Sequence, residues 1–209
     1  MNSLPLIFTG IFLAFASSWV GLVAYPYFQL GHLQAVVAED TGDVSPPSLP
    51  GSAIAGQKVY AAEGCIYCHS QQVRQVSVTE ADVRRGWGAR PTVARDYIRE
   101  KPVFLGTMRT GPDLTNIGAR QPSEMWHYQH LYEPVTVSPG SVMPSFRYLF
   151  RTQKIVGQRS KEAVDLRGPH APDPGYEVVP TDDAKNLVAY LISLNRNYPL
   201  PEAPEPNLP

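Results

Sequence analysis

Only two cysteines occur among the 209 residues, no charged residue occurs from Leu4 to Leu30, and the first lysine or arginine is Lys58. Each absence excludes something. A structural zinc site needs a second ligand pair at similar spacing, and none exists. A thioredoxin-like redox pair would follow a strand in a β-α-β pattern, which is missing. The net charge of -1 supplies no basic field for nucleic acid. With no thiol to spare, the chain suits the oxidising side of a membrane. Proline is the opposite case: 21 residues, about twice the ordinary share, call for much extended loop around one modest core.

The two cysteines stand in Cys65-Ile66-Tyr67-Cys68-His69, a C-x-x-C-H signature of covalent c-type haem attachment. Two thiols at this spacing can form thioethers with the two vinyl groups of one porphyrin, while the adjacent imidazole reaches the iron. A disulfide between Cys65 and Cys68 would close a strained small loop and leave His69 without a purpose. The expected cofactor is therefore one covalent haem c.

Residues Leu4 to Tyr25 number 22, about 33 Å as a helix and enough to cross roughly 30 Å of hydrocarbon. A retained transmembrane anchor over 1–37 is expected. A cleaved signal peptide fits less well, because the basic n-region is absent and the apolar run continues past the small residues at Ala14-Phe15-Ala16. Gly10, Ala14, Ser17 and Gly21 form a row of small residues along the helix, where a partner helix can approach closely. Tyr25, Tyr27 and Phe28 around Pro26 suit a membrane interface, with a kink or stop at the proline.

Residues 38–52 are polar and proline-rich and read as a semi-rigid spacer. A haem domain over 53–198 and a proline-rich tail over 199–209 follow. In that domain Ile54 to Glu63 is helical and Gly64 stops it. Thr181 caps a last helix with Asp182 and Asp183 in its first turn. Leu187, Val188, Tyr190, Leu191 and Leu194 form its apolar stripe. Gly56 and Tyr60 are candidates to meet Tyr190 where the two helices cross. The fold class is mainly α: one transmembrane helix plus a loop-rich domain like that of class I cytochromes c.

An iron that only exchanges electrons needs a sixth ligand. The candidates are Met1, Met108, Met125, Met143, His32, His127, His130 and His170. Met143 is preferred because Ser-Val-Met-Pro-Ser is a proline-stiffened loop, and a thioether opposite histidine raises the potential. Met108 is second and Met125 reads as packing. His127 and His130 share part of one helix face and read as surface or interface residues. Before Met143 lies Arg109-Thr110-Gly111-Pro112-Asp113-Leu114. The Pro112 carbonyl is suited to the second ring nitrogen of His69, and Arg109 is suited to a haem propionate.

These residues, with Glu63-Gly64 and Ser70-Gln71 around the haem motif, Trp126-His127, His130-Leu131-Tyr132, Pro134, Ser141-Val142-Met143-Pro144 and Gly175 to Thr181, carry a resemblance. The chain resembles the mono-haem cytochrome c subunit, subunit II, of cbb3-type cytochrome c oxidases. It departs from that pattern at Arg85-Gly86-Trp87-Gly88. The resemblance implies an electron-relay subunit with no catalytic residue of its own. Its electrons would come from a di-haem cytochrome c subunit or a soluble cytochrome c. They would go to the b-type haem of a large haem-copper subunit that reduces oxygen. It also implies a single-pass protein of the bacterial inner membrane, N-terminus cytoplasmic and haem domain periplasmic. With both cysteines used for haem, the dinuclear copper centre of other subunits II cannot be built. Two alternatives remain open on the sequence: the small cytochrome c subunit of a nitric oxide reductase, and a free-standing membrane-tethered shuttle.

Overall fold

A computed structural model describes residues 3–208; Met1, one of the candidate iron ligands, lies outside them. The chain divides into two compact units. The first holds the residues up to Pro46 together with Ala94–Arg99, and the second holds Pro47–Val93 and the chain from Glu100 onward.

The first unit begins with one helical run of 27 residues, Leu4–Leu30, about 40 Å long. It consists of α1 (Leu4–Trp19), a π turn (Val20–Ala24) and α2 (Tyr25–Leu30). None of its residues is buried, so this apolar helix has the length and the surface to cross a membrane. Pro26 does not end it. Proline has no N–H and crowds the carbonyl four residues back, and the π turn just before it takes up that mismatch. Part of the expected spacer is folded: β1 (Val36–Val37) pairs antiparallel with β2 (Val44–Ser45). Arg99 Nε donates to Pro46 O at 2.8 Å, and Arg95 donates to Gln34 O, which ties Ala94–Arg99 to this unit.

The second unit is built on two crossing helices, α3 (Gly51–Ala62) and α7 (Asp182–Ser193). Gly64, at φ 70°, follows the end of α3 in the left-handed conformation that glycine adopts without steric cost. Thr181 caps α7, its Oγ1 accepting from Ala184 N at 3.4 Å and donating to Leu149 O at 2.7 Å. Leu187, Val188, Tyr190, Leu191 and Leu194 are all buried. At the crossing, Gly56 lies against Asn186 and Tyr190, and the Tyr60 and Tyr190 rings meet edge to face at 5.4 Å. Between α3 and α7 come α4 (Ala81–Arg84), α5 (Ile117–Arg120) and α6 (Glu124–Tyr132).

One element differs from the sequence expectation. The loop-rich region after Met143 contains a five-residue antiparallel ladder, β3 (Phe150–Lys154) with β4 (Tyr176–Pro180), in the register Phe150↔Pro180 to Lys154↔Tyr176. Val178 and Val179 face the core. The Gly175 to Thr181 block is thus the second strand of a hairpin that delivers the chain to the cap of α7.

Candidate functional site

The motif sits directly after α3. Cys65–Tyr67 forms a single 3-10 turn, closed by Cys68 N and His69 N both donating to Cys65 O at 3.1 and 3.0 Å. This turn places both cysteines and His69 on the wall of one cavity of about 420 Å³. The two cysteines are not joined in a disulfide. Burial first, and the nearby Glu63 carboxylate second, push the Cys65 thiol up to about 12. Without a bound metal, Cys65 is therefore a neutral thiol at pH 7. Among the described residues there is no cluster of three or more His, Cys, Asp or Glu that could hold a metal ion.

The loop Arg109–Leu114 runs alongside the motif and is fastened by hydrogen bonds to it and to Ser70 and Gln72 just after it. Gly111 N donates to Cys68 O at 3.0 Å and Leu114 N to Ser70 O at 2.8 Å. Ser70 Oγ and Gln72 N both donate to Asp113 Oδ2, at 2.6 and 2.8 Å. A further link joins His69 Nδ1 to Pro112 O at 2.7 Å. A carbonyl can only accept, so the proton is on Nδ1 and the lone pair is on Nε2. Burial holds the ring below the usual histidine range, while the Pro112 bond acts in the other direction. Gly111 is the position in this loop where no other residue fits. A Cβ there would stand 2.2 Å from His69 Cε1 and 2.8 Å from Nε2.

Met143 and Pro144 also line the cavity, as do Leu187 and Leu191 of α7 and Trp126, His127 and His130 of α6. Of the expected iron ligands, the cavity therefore collects Met143, His127 and His130. Met108 is exposed and lies off the cavity wall. Met125 packs against the core and its sulfur accepts from Asp165 N at 3.3 Å. His170 lies 3.7 Å from the Glu133 carboxylate, and His32 belongs to the first unit.

His127 and His130, read from the helix pattern as surface or interface residues, both line the cavity, His127 buried and His130 half-buried. His127 is 2% exposed and its Nε2 lies 2.8 Å from Gln121 O. The His130 ring stacks on Trp126 at 4.7 Å, 8° from parallel, and its Nδ1 is sealed from solvent without a partner. Both rings are held below the ordinary histidine value, by burial first, His130 down to about 4. They are neutral at pH 7. The helix pattern did not show this, because α6 has apolar and polar residues all round, and only the cavity distinguishes its faces.

Arg109, read from the sequence as suited to a haem propionate, is not on the cavity wall. Its guanidinium donates to Ser70 Oγ, Gln72 O and both oxygens of Asp82, the latter at 2.8 and 2.9 Å. Asp82 is 0% exposed and takes a second arginine, Arg74, through its backbone N, Nε and Nη2. Trp87 lies under both Arg109 and Arg85, each at 5.0 Å. The region around Arg85-Gly86-Trp87-Gly88 thus braces the loop that holds His69. The only sequence signal for Asp82 was a lone aspartate among arginines, too common to single it out.

Burial alone pushes the Asp82 carboxyl up, but the bonds from Arg74 and Arg109 outweigh it and hold the group well below the carboxylate range. A folded-state value below the unfolded one contributes stability above about pH 4, lost as pH falls through the folded value. Asp82→Asn is expected to cost the full chain about 2 kcal/mol at pH 7. That is less than a fully buried pair, because Arg74 is partly exposed. Urea unfolding in detergent should show the gap to the parent narrowing as pH falls below about 4, where the unfolded chain's carboxylate takes up a proton and the folded one still does not. A gap independent of pH would mean that the charge has no part in it.

Over residues 43–172 the chain matches the family described as cytochrome c oxidase, mono-heme subunit/FixO. No curated protein matches it.

Proposed function

Because the chain belongs to the family of mono-haem subunits of cytochrome c oxidase, a family of electron-transfer subunits with one haem, we propose that its cavity holds that haem covalently and relays electrons to a catalytic partner. Cys65 and Cys68 would hold it through thioethers, and His69 and Met143 would hold its iron. When bound, the group supplies a one-electron iron couple. Everything else is the work of this chain's residues.

The observation that carries this reading is the state of His69 in a cavity it shares with both thiols and a methionine. Its Nδ1 proton is committed to Pro112 O, which leaves Nε2 as the free lone pair and makes it more basic. Gly111 leaves open the space around the ring that a side chain would fill. Leu114, Leu187 and Leu191 supply an apolar wall, which keeps water away and favours the less charged ferrous state.

The finer route rests on the same reading. The donor is a di-haem cytochrome c subunit or a soluble cytochrome c, and the acceptor is the b-type haem of the haem-copper subunit. Leu4–Leu30 anchors the chain in the bacterial inner membrane with its haem domain on the periplasmic side, over a class I-like cytochrome c fold. The small residues Gly10, Ala14, Ser17 and Gly21 offer the large subunit a close helix contact, and no Cβ at Gly10 or Gly21 would meet another part of this chain.

Extraction in mild detergent is expected to bring out a polytopic companion carrying b-type haem. The denatured polypeptide should keep its pigment through acid acetone, and Cys65→Ser with Cys68→Ser should abolish that. In Met143→Ala the covalent pigment should persist while the low-spin signal disappears. A polypeptide that loses its pigment to acid acetone overturns covalent attachment. A chain that elutes alone overturns the relay.

A further inference from the structure

A haem brings two carboxylates to a cavity whose wall is mostly apolar, and each needs a donor or solvent. The arginine that the sequence offered for this purpose is committed elsewhere: four of the five N–H groups of Arg109 are taken by Asp82, Ser70 and Gln72. A different residue on the cavity wall lacks a partner. His130 makes no hydrogen bond to any described residue, and its Nδ1 is buried. From the haem-binding reading above and this unpartnered ring, we infer that His130 is the hydrogen-bond donor to a haem carboxylate.

Three features support the assignment. A neutral imidazole has one N–H and one lone pair, and an orphaned buried N–H is the rarer and costlier of the two. With Nδ1 sealed and unpartnered, the favoured tautomer carries its proton on Nε2, the nitrogen on the other side of Cε1. The stack on Trp126, four residues earlier on α6 and also on the cavity wall, fixes the plane of the ring so that the donor is held in advance. Finally, α6 is anchored at both ends of this face. Ser123 Oγ accepts from Trp126 N at 3.3 Å, and Leu131 O accepts from Phe146 N at 2.8 Å, three residues after Met143. The methionine loop is therefore tied to the helix that carries the ring.

The consequence is electrical. A carboxylate near the iron favours the ferric state, and a donor that draws off part of its charge weakens that preference. Losing the donor should lower the midpoint potential. The test uses the oxidase complex purified from membranes, with His130→Phe to keep a stacking ring without a donor and His130→Gln to restore an N–H. Pyridine haemochrome on the denatured polypeptide measures covalent haem, and a spectroelectrochemical titration measures the potential.

The expected result is full haem in both variants. In the phenylalanine variant the redox equilibrium moves about tenfold toward ferric, about 59 mV lower, and at least half of that returns in the glutamine variant. A phenylalanine variant with full haem and the parent potential overturns the inference. So does loss of its low-spin spectrum, which would make His130 an iron ligand. If the phenylalanine variant does not assemble, the glutamine variant decides: a potential near the parent's supports the donor, and a fall as large as about tenfold overturns it. Absence of covalent haem in the parent itself would instead be a failure of the haem-binding reading.

Discussion

Gly111→Ala is expected to strip the low-spin signature from the haem while leaving the pigment attached. The added Cβ would stand 2.2 Å from His69 Cε1, 2.7 Å from Nδ1 and 2.8 Å from Nε2, where ordinary contacts are about 3.5 Å or more. The ring must retreat by about 1 Å or the loop must lift. The loop is held by Gly111 N to Cys68 O and Leu114 N to Ser70 O, so most of the displacement falls on the ring and on its bond to Pro112. Gly111 has no positive φ, so the effect comes from the ring contact alone. Cys65 and Cys68 are untouched, and covalent attachment should survive. Overpacking of this kind costs about 2 kcal/mol, which lowers Tm by roughly 4–8 °C for a unit of this size. An absorption spectrum of the oxidised variant identical to the parent's would show that the ring has room the structure does not give it.

The second large effect is at the crossing of α3 and α7. In an isolated helix Gly→Ala stabilises by about 1 kcal/mol, so helix propensity alone predicts that Gly56→Ala helps. The crossing reverses the sign. A Cβ on Gly56 would fall 1.8 Å from Asn186 O, 2.4 Å from Asn186 C and 2.8 Å from Tyr190 Cβ. Two of those three atoms are backbone, which cannot rotate aside. The helices must part by about 1.5 Å, opening the packing of Tyr60 against Tyr190 and Phe104. That loss exceeds the propensity gain, and a net cost of about 3 kcal/mol is expected. Gly51→Ala is the control, since it lies on the same helix with no atom within 4 Å of its would-be Cβ. Thermal unfolding should separate the two: Gly56→Ala falls by roughly 6–12 °C and Gly51→Ala stays at or above the parent. Equal Tm values for both would sink the crossing argument.

Local signals were enough where one stretch carries its own reason. Gly64 ends α3 because a left-handed residue is needed there, and Thr181 with two aspartates starts α7 because free N–H groups attract oxygen. They were not enough for β3 and β4. Phe150 pairs with a proline 30 positions away, and no nearby turn signal announces a hairpin whose connection is that long. Nor were they enough for Arg109, whose two nearest possibilities, a ligand carboxylate and a buried aspartate, look alike in one dimension.

The sequence by itself determined the Cys65–His69 motif, the apolar span before it, the end of α3 at Gly64 and the start of α7 at Thr181, since each depends on residues within a few positions of one another. Only the tertiary structure decided that Asp82 takes Arg109, 27 positions later, that His130 Nδ1 is buried without a hydrogen-bond partner among the described residues, and that Gly111 must have no side chain beside His69. The physical reason is desolvation. A charge or an N–H acquires its energetic weight from what surrounds it once water has left, and that neighbourhood is assembled from residues far apart in the chain.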